Sequence, residues 1–237
     1  MFHSLFSSIL NLLFPLRCLG CGREGMVCCD QCRGALRFVA PSCVVCGRIA
    51  PATQRVLPGR TCKACREKSH LDGFWSPFRY ETDPLVRDLI HVLKYGRYRA
   101  VAPFLANLLI EYCHTFRLTL PRNAIVIPVP LHRRRARVRG FNQSELVACS
   151  FASSFEVSVA CDALRRAKNT IPQVALSRQR RLGNIRGAFV AQEPGVLCGR
   201  TVFLFDDVKT TGTTLEELAV VARQAGARMV WAITIAH

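Results

Sequence analysis

The feature that most constrains the fold is a stretch near the carboxyl terminus, where an apolar segment, two adjacent acids and a hydroxyl-rich loop follow one another. The apolar segment, Val202–Phe205, predicts a buried strand, because a short apolar run in an α/β chain fits a parallel strand covered on both faces. Asp206 and Asp207 come directly after it, and small hydroxyl residues then surround Gly212. The chain is therefore expected to contain a parallel sheet with polar groups at a strand end.

A helix is predicted to begin just beyond this loop. Thr213 and Glu216 have the spacing of a capping box, and Gly226 is placed to end the helix. A strand, a tight loop and a helix N-terminus in this order favour phosphate binding, because loop N–H groups converge there and the helix dipole attracts negative charge. The two acids would lie about one sugar ring away from the phosphate, so a ribose 5-phosphate suits the layout. The alternative is an ordinary strand-to-helix turn whose acids happen to be adjacent.

These residues resemble the phosphoribosyl pyrophosphate (PRPP) signature of type I phosphoribosyltransferases, which has four apolar residues, two acids, a few small residues and then Thr-Gly-x-Thr. The resemblance implies that Asp206 and Asp207 hold the ribose hydroxyls. It also implies that the loop wraps the 5′-phosphate, through Thr210, Thr211, Gly212, Thr213 and Thr214. Lys209 either adds a cation beside the phosphate or points into solvent.

The chain is strongly basic, with a formal net charge of +17 over 237 residues. This charge favours polyanionic partners such as nucleic acid, an anionic membrane or phosphorylated ligands, although solvated basic surface without a partner is the alternative. The length fits a medium domain preceded by a small module. We predict boundaries at 1–16 for a short amphipathic helix, 17–70 for a cysteine-rich module and 74–237 for the α/β domain.

Four Cys-x-x-Cys pairs lie in the cysteine-rich module. Each pair presents two thiolates to one ion, and two pairs make the tetrahedral four-thiolate set that Zn²⁺ favours. Pairing in sequence order predicts two zinc sites, made by Cys18, Cys21, Cys29 and Cys32 and by Cys43, Cys46, Cys62 and Cys65. Interleaved pairing, a single occupied site, use of Cys28 in place of Cys29, and redox use of the thiols remain open. A module this small has little core, so bound zinc would supply much of its folding energy.

The amino-terminal helix is too short to span a bilayer, and it has neither the charged start nor the cleavage site of a signal peptide. We therefore expect a cytoplasmic protein with no membrane span. In that compartment the 13 cysteines should be thiols or metal ligands rather than disulfides.

Two further segments are expected to bring cations to the phosphate loop. Pro84 opens a predicted helix that ends near Lys94, which either complements the helix dipole or reaches the pyrophosphate of PRPP. A second buried strand, Ala124–Ile127, leads into a loop with five arginines and then a helix capped by Ser144. Because ligands collect at the carboxyl ends of parallel strands, this loop should lie beside Asp206. Arg139 is the best candidate for the pyrophosphate.

The other arginines of this loop, Arg133, Arg134, Arg135 and Arg137, are either solvated surface or a groove for nucleic-acid phosphates. A long polar and basic segment, 165–186, follows a weaker strand at 157–164. Because long irregular segments inside compact domains are usually functional, we predict a lid that closes over the site. Its candidate contacts are Arg166, Gln173, Arg180 and Asn184. Strands at 188–190 and 229–236 complete the predicted sheet.

Several motifs occur in one order along the chain: the Cys-x-x-Cys pairs, Leu-Lys-Tyr-Gly at 93–96, Arg-Gly-Phe-Asn-Gln-Ser at 139–144, Asn-Ile-Arg-Gly-Ala-Phe at 184–189 and the acid-to-threonine segment at 206–214. In this combination the chain resembles the ComF family, which includes ComFC-like competence proteins. The resemblance implies a type I phosphoribosyltransferase-like parallel sheet with an N-terminal zinc-ribbon module. It also implies a role in natural transformation, handling incoming single-stranded DNA with a helicase partner.

Three functional hypotheses follow. The first is a Mg²⁺-dependent phosphoribosyltransferase that uses PRPP, in which Asp206 and Asp207 fix the sugar and Arg139 stabilises the leaving pyrophosphate. The second is a non-catalytic DNA-binding accessory protein whose PRPP site is a sensor or a vestige. The third, which we favour, combines PRPP chemistry with single-stranded DNA binding. No residue pattern identifies the acceptor.

Overall fold

A computed structural model of the chain describes residues 16–49, 57–96, 98–167 and 187–237, without the side chains of residues 133–135. The predicted amino-terminal helix lies outside the described residues. So do Gln173, Arg180 and Asn184, which were predicted to line the lid.

The cysteine-rich module is built around thiols rather than around a conventional apolar core. It contains one short α-helix, α1 (Asp30–Ala35), and one 3₁₀ helix (Lys63–Lys68). Most of its buried side chains belong to five cysteines, namely Cys18, Cys28, Cys29, Cys43 and Cys65. So little apolar burial agrees with the prediction that metal ligation stabilises this module.

The central sheet is entirely parallel and has five strands. In spatial order these are β1 (Gly73–Trp75), β7 (Met229–Ala236), β6 (Thr201–Val208), β2 (Ala124–Pro128) and β3 (Ser158–Val159). The predicted strands at 124–127, 202–205 and 229–236 are therefore confirmed. The strand predicted over 157–164 is wrong in extent, because only two of its residues pair with β2.

Helices cover both faces of the sheet, as the apolar runs predicted. On one face lie α2 (Pro84–Tyr95), α3 (Val101–Thr115) and α5 (Gln143–Ser153), and on the other lies α7 (Thr213–Gln224). Strand β6 serves both cores, since Phe203 and Phe205 pack in the first and Val202 and Leu204 in the second. Because both faces are covered, the polar groups of this strand are confined to its carboxyl end.

The segment between β2 and α5 differs from the predicted arginine loop, because it contains a helix, α4 (Arg133–Arg139). The cap of α5 also differs. Its N-cap is Asn142, whose side chain accepts a hydrogen bond from the Ser144 N–H at 3.1 Å, so the prediction that Ser144 caps this helix is wrong. The Ser144 hydroxyl is thereby left available for the site described below.

A small antiparallel pair, β4 (Leu164–Arg166) and β5 (Phe189–Ala191), flanks the main sheet and is followed by a short helix, α6 (Pro194–Leu197). Arg166 was predicted to belong to an irregular lid, but it lies in β4 and is only 8% exposed. Its guanidinium lies over the ring of Phe189, with 5.4 Å between the guanidinium carbon and the ring centroid. Among the described helices, none has both the length and the apolarity needed to cross a membrane.

Candidate functional site

The site forms at the carboxyl end of β6, between the ends of its two neighbours, β2 and β7. Lys94 donates from Nζ to Asp207 Oδ1 at 2.6 Å, and Gln143 Nε2 donates to Asp207 Oδ2 at 2.7 Å. Both oxygens of this buried carboxylate are therefore occupied. Arg139 Nη1 in turn donates to Gln143 Oε1, so Gln143 links the guanidinium to the acid. Arg139 was predicted to lie near the acidic pair, and it does so through Gln143, which contacts both Arg139 and Asp207.

Asp206 has a different environment from its neighbour, because it remains partly exposed. Its Oδ1 accepts hydrogen bonds from the Ser144 hydroxyl at 3.2 Å and from the Asp207 N–H at 2.9 Å. Burial, and then the charge of Asp207, raise the pKa of Asp206 to about 7, although Lys94 and the hydrogen bonds oppose the shift. One carboxylate of the pair thus titrates near neutrality.

Lys94 stays charged in this arrangement. Burial, the largest single effect, acts to lower the pKa of Lys94, but the attraction and hydrogen bond of Asp207 and the charge of Asp206 together outweigh it, so the pKa is raised. Lys94 therefore forms an ion pair with Asp207. The sequence had left two other roles open for it, complementing the helix dipole and reaching a pyrophosphate.

The loop after β6 ends at Gly212, which is the N-cap of α7 and has a φ of 77°. This left-handed conformation favours glycine over any residue with a Cβ atom. The N-cap makes no side-chain hydrogen bond, so the predicted capping box of Thr213 and Glu216 is wrong. Instead, the hydroxyls of Thr211 and Thr213 lie 2.9 Å apart, and Glu216 contacts the cysteine-rich module. The first turn of a helix contains N–H groups without partners inside the helix, which suit an anion.

Lys209 does not extend freely into solvent. Its ammonium lies 5.4 Å from the centroid of the Phe74 ring, and burial lowers its pKa despite the attraction of Glu216. Its backbone N–H donates to the Ala236 carbonyl at 2.9 Å, which ties the start of the loop to β7. The cation therefore lies between the loop after β6 and β1.

A second group of cations and aromatic rings extends outward from the site. Arg139 lies over Tyr95, with 5.4 Å from the guanidinium carbon to the ring centroid, and Arg99 lies over Phe141 at 4.9 Å. Tyr95 is 63% exposed. We call these four residues the arginine–aromatic surface. Tyr95, Arg99 and Gln143 were not predicted as site residues, because only the tertiary fold brings them to their partners Arg139, Phe141 and Asp207.

The eight predicted zinc ligands form two separate clusters, in sequence order. Within each cluster all four sulfur atoms lie within 4.8 Å of one another. The sulfurs of Cys21 and Cys29 are 3.6 Å apart, and those of Cys46 and Cys62 are 3.8 Å apart. A tetrahedral ion with Zn–S bonds of about 2.3 Å separates its sulfurs by about 3.8 Å, so both clusters fit zinc. Cys28 lies outside the first cluster and donates to the Cys29 carbonyl instead.

Comparison with known proteins agrees with this architecture. A profile for the double zinc ribbon domain matches residues 9–66. The chain is 35% identical over 208 residues to the DNA utilization protein YhgH of Shigella flexneri, covering 85% of this chain and 86% of that protein. It is 34% identical over 208 residues to the YhgH protein of Escherichia coli strain K12, with the same coverage. It is 34% identical over 122 residues to competence protein F of Haemophilus influenzae, covering 50% of this chain and 52% of that one.

Two solved structures match part of this chain. One is an allosteric regulatory enzyme of purine biosynthesis, with a TM-score of 0.38 and 20% identity, covering 56% of this chain. The other is a glutamine PRPP amidotransferase from B. subtilis in complex with ADP and GMP, with a TM-score of 0.34 and 17% identity, covering 57% of this chain. This chain corresponds to about a quarter of the length of each, namely 26% and 25%.

The parallel sheet with helices on both faces and the two four-cysteine clusters together define the class: an α/β protein with an N-terminal double zinc ribbon. The relatives, which include proteins that match 85% of the chain, narrow the assignment further. The chain belongs to the ComF family of competence and DNA utilization proteins.

Proposed function

We propose that this protein binds PRPP with Mg²⁺ at the carboxyl end of β6 and transfers its phosphoribosyl group to an acceptor that we do not name. The observation that carries the proposal is the position of Asp206 and Asp207, which lie at the carboxyl end of β6, just before its last residue, Val208, and so before the Gly212 loop and the N-terminus of α7. An anion at the helix N-terminus and a diol beside two carboxylates match the two ends of a ribose 5-phosphate.

In this proposal the segment Thr210–Thr214 binds the 5′-phosphate, and Asp206 accepts hydrogen bonds from the ribose hydroxyls. Asp207 is already engaged by Lys94 and Gln143, so its part is to hold these two side chains at the edge of the site. Arg139, which is linked to the same network through Gln143, is placed to contact the pyrophosphate.

Carboxylate and phosphate oxygens are the ligands that Mg²⁺ prefers, and Asp206 is the acid of the pair that is available to supply one. When bound, Mg²⁺ neutralises charge on the pyrophosphate as it leaves. The chain's own contribution is positional and electrostatic: Asp206 orients the sugar, the loop fixes the phosphate, and Arg139 stabilises negative charge on the leaving group.

The test is calorimetric titration of PRPP·Mg²⁺ into wild type and Asp206→Asn, with the fold of each checked by circular dichroism. Asparagine keeps the shape and can still accept from Ser144 and from the Asp207 N–H, so the loss should be confined to ligand contacts. We expect at least tenfold weaker binding in the variant. If wild type binds PRPP no better than Asp206→Asn, the PRPP proposal is lost.

A DNA-handling role is favoured by a separate observation, the arginine–aromatic surface. Exposed Tyr95 offers a ring on which a base can stack, and the neighbouring guanidinium groups suit backbone phosphates. Relatives that match 85% of the chain are named DNA utilization proteins, and one that matches 50% of it is named competence protein F. We therefore propose that this surface binds single-stranded DNA, with a competence helicase as partner.

Two four-thiolate sites need reduced cysteines, which favours the cytoplasm.

Binding of an oligo-thymidine to Tyr95→Ala and Arg99→Ala, over a range of salt concentrations, tests this role. Tyr95→Ala should weaken binding at every salt concentration, because stacking is lost. Arg99→Ala should reduce the slope of log K against log salt by about 0.7, the value for one single-strand phosphate contact. Arg122→Ala, just before the amino end of β2, is the charge-matched control. Equal effects of Arg99→Ala and Arg122→Ala would contradict a DNA site on this surface.

The accessory hypothesis makes a different prediction for the acidic pair. If the PRPP site is a sensor or a vestige, single-stranded DNA binding survives in Asp206→Asn and no phosphoribosyl product forms with any acceptor. Release of pyrophosphate from PRPP, assayed with and without DNA, distinguishes this alternative from an enzyme that combines both activities.

A further inference from the structure

We propose that Glu216 is a positioning residue through which the second zinc site holds the first turn of α7 in place, and with it the phosphate loop. The consequence for ligand binding rests on the PRPP function proposed above. The mechanical link rests only on contacts between the zinc ribbon and α7.

Glu216 is fully engaged by the segment that follows the second zinc site. Its Oε1 accepts a hydrogen bond from the Ser69 hydroxyl at 2.5 Å, and its Oε2 accepts one from the His70 N–H at 2.8 Å. The Ser69 oxygen also accepts from the Leu71 N–H at 3.1 Å, which fixes the orientation of the hydroxyl. Two hydrogen bonds to one carboxylate define the position of this side chain closely, and bonds to a charged acceptor are the stronger kind.

The segment that holds Glu216 is itself held by the second cysteine cluster. Cys62 is the N-cap of the 3₁₀ helix, and Cys65 lies inside it and donates its N–H to the Cys62 carbonyl at 2.9 Å. Ser69 is the residue at the opposite end of the same short helix. Zinc bound by these cysteines therefore fixes one end of a six-residue helix whose other end delivers Ser69 and His70 to Glu216.

On the α7 side, Glu216 lies one turn beyond the N-cap. Its backbone N–H donates to the Gly212 carbonyl at 3.0 Å, so its position and that of the loop are directly linked. With Gly212 as the N-cap, Glu216 is at N4, one residue beyond the position from which a carboxylate caps a helix N-terminus. It binds the zinc ribbon instead, and α7 has no side-chain cap of its own. The start of α7 is thus fixed by the ribbon.

A second contact joins the same two parts at the far end of α7. Arg223 pairs with Asp72 at 2.5 Å and donates to the His70 carbonyl at 3.4 Å. This contact lies more than two helical turns from Gly212, so it can hold the ribbon on the domain without fixing the phosphate loop. It therefore provides a matched control.

A phosphate loop that is ordered before the ligand arrives loses less conformational entropy on binding, so losing the Glu216 contacts should weaken PRPP binding. We expect about five- to tenfold weaker binding of PRPP·Mg²⁺ in Ser69→Ala, which loses the hydroxyl. Ser69→Thr, which keeps it, should retain affinity within about twofold. Glu216→Gln should resemble Ser69→Ala, whereas Arg223→Met should bind like wild type.

Amide hydrogen exchange of Thr210–Glu216 without ligand provides the readout that does not depend on PRPP. Exchange should be faster in Ser69→Ala and Glu216→Gln and unchanged in Arg223→Met. It should also be faster in Cys62→Ser, which removes one ligand of the second site, but not in Cys21→Ser, which alters the first. Unchanged exchange in both Ser69→Ala and Glu216→Gln would overturn the proposal, as would equal acceleration in Arg223→Met.

The PRPP titration and the hydrogen-exchange experiment together distinguish failure of this inference from failure of the proposed function. If PRPP binds neither wild type nor any variant, the PRPP function fails while the exchange experiment still decides the link from zinc to loop. If exchange follows the expected pattern but PRPP affinity is the same in Ser69→Ala and in Ser69→Thr, Glu216 does not position the loop for PRPP, and the proposal is overturned.

Discussion

Lys94 and Asp207 form an ion pair of 2.6 Å between the end of α2 and the end of β6, and both side chains are largely buried. The pair joins the helical layer to the strand that carries the candidate site. Gln143 completes it from α5, so three elements meet at one carboxylate. The remaining acid, Asp206, is left with a pKa near neutrality and some exposure to solvent. The site thus contains one acid with a structural role and one that is available to a ligand.

This division of roles predicts that Lys94→Met destabilises the fold. Removing one member of a buried ion pair leaves the other charge without its partner, which costs about 3–5 kcal/mol in the free energy of unfolding. Chemical denaturation measures this loss. The double variant Lys94→Met/Asp207→Asn should recover most of it, because no uncompensated charge remains. If the double variant loses as much stability as the two single variants combined, the two side chains do not interact as described.

The raised pKa of Asp206 predicts a pH-dependent penalty on stability. Its ordinary value is 3.8, and the fold raises it to about 7. Between these values the folded state holds a proton that the unfolded state has lost, so the free energy of unfolding falls as pH rises through this window. Asp206→Asn removes this dependence.

The stability of Asp206→Asn relative to wild type should therefore increase from pH 4 to pH 8, by at most about 4 kcal/mol, and should stay constant below pH 4. Urea denaturation at several pH values measures the difference. A difference between the two proteins that is the same at pH 4 and pH 8 would show that Asp206 ionises normally in the folded state.

Ionisation of Asp206 should strengthen ligand binding, although it lowers the free energy of unfolding. If Asp206 must be ionised to accept hydrogen bonds from the ribose diol, the affinity for PRPP·Mg²⁺ should rise as pH increases from about 6 to 8. Calorimetric titration across this range tests it, with Asp206→Asn expected to show a weaker dependence. An affinity that falls over this range would contradict an ionised Asp206 as the group that binds the diol.

Much of this fold follows from local sequence patterns. The strands β2, β6 and β7 could be predicted because a strand that is covered on both faces must be apolar along its length, and each of these segments is a continuous apolar run. The two zinc clusters were predicted in sequence order because each Cys-x-x-Cys pair forms its half of the site locally. Such features depend on neighbours a few residues apart, and sequence reasoning identifies them well.

The errors concern contacts between distant segments. Glu216 has the spacing of a capping box, but its partner Ser69 lies 147 residues earlier, and this tertiary contact prevails over the local one. Gln143 lies within the Arg-Gly-Phe-Asn-Gln-Ser motif, but the motif does not reveal its partner Asp207, which lies 64 residues away. Helix α4 was missed because its arginine run has no apolar period, although arginine favours helices intrinsically.

The two cysteine clusters predict two zinc ions per chain, and the chain contains an internal control. Cys21→Ser and Cys46→Ser should each reduce the zinc content by one ion, because each removes a thiolate from a different cluster. Cys28→Ser should keep both ions, since its sulfur contacts the Cys29 carbonyl and lies outside the first cluster. Elemental analysis of the purified variants measures the content. Loss of an ion in Cys28→Ser, or retention of two in Cys21→Ser, would mean that Cys28 is a ligand of the first site.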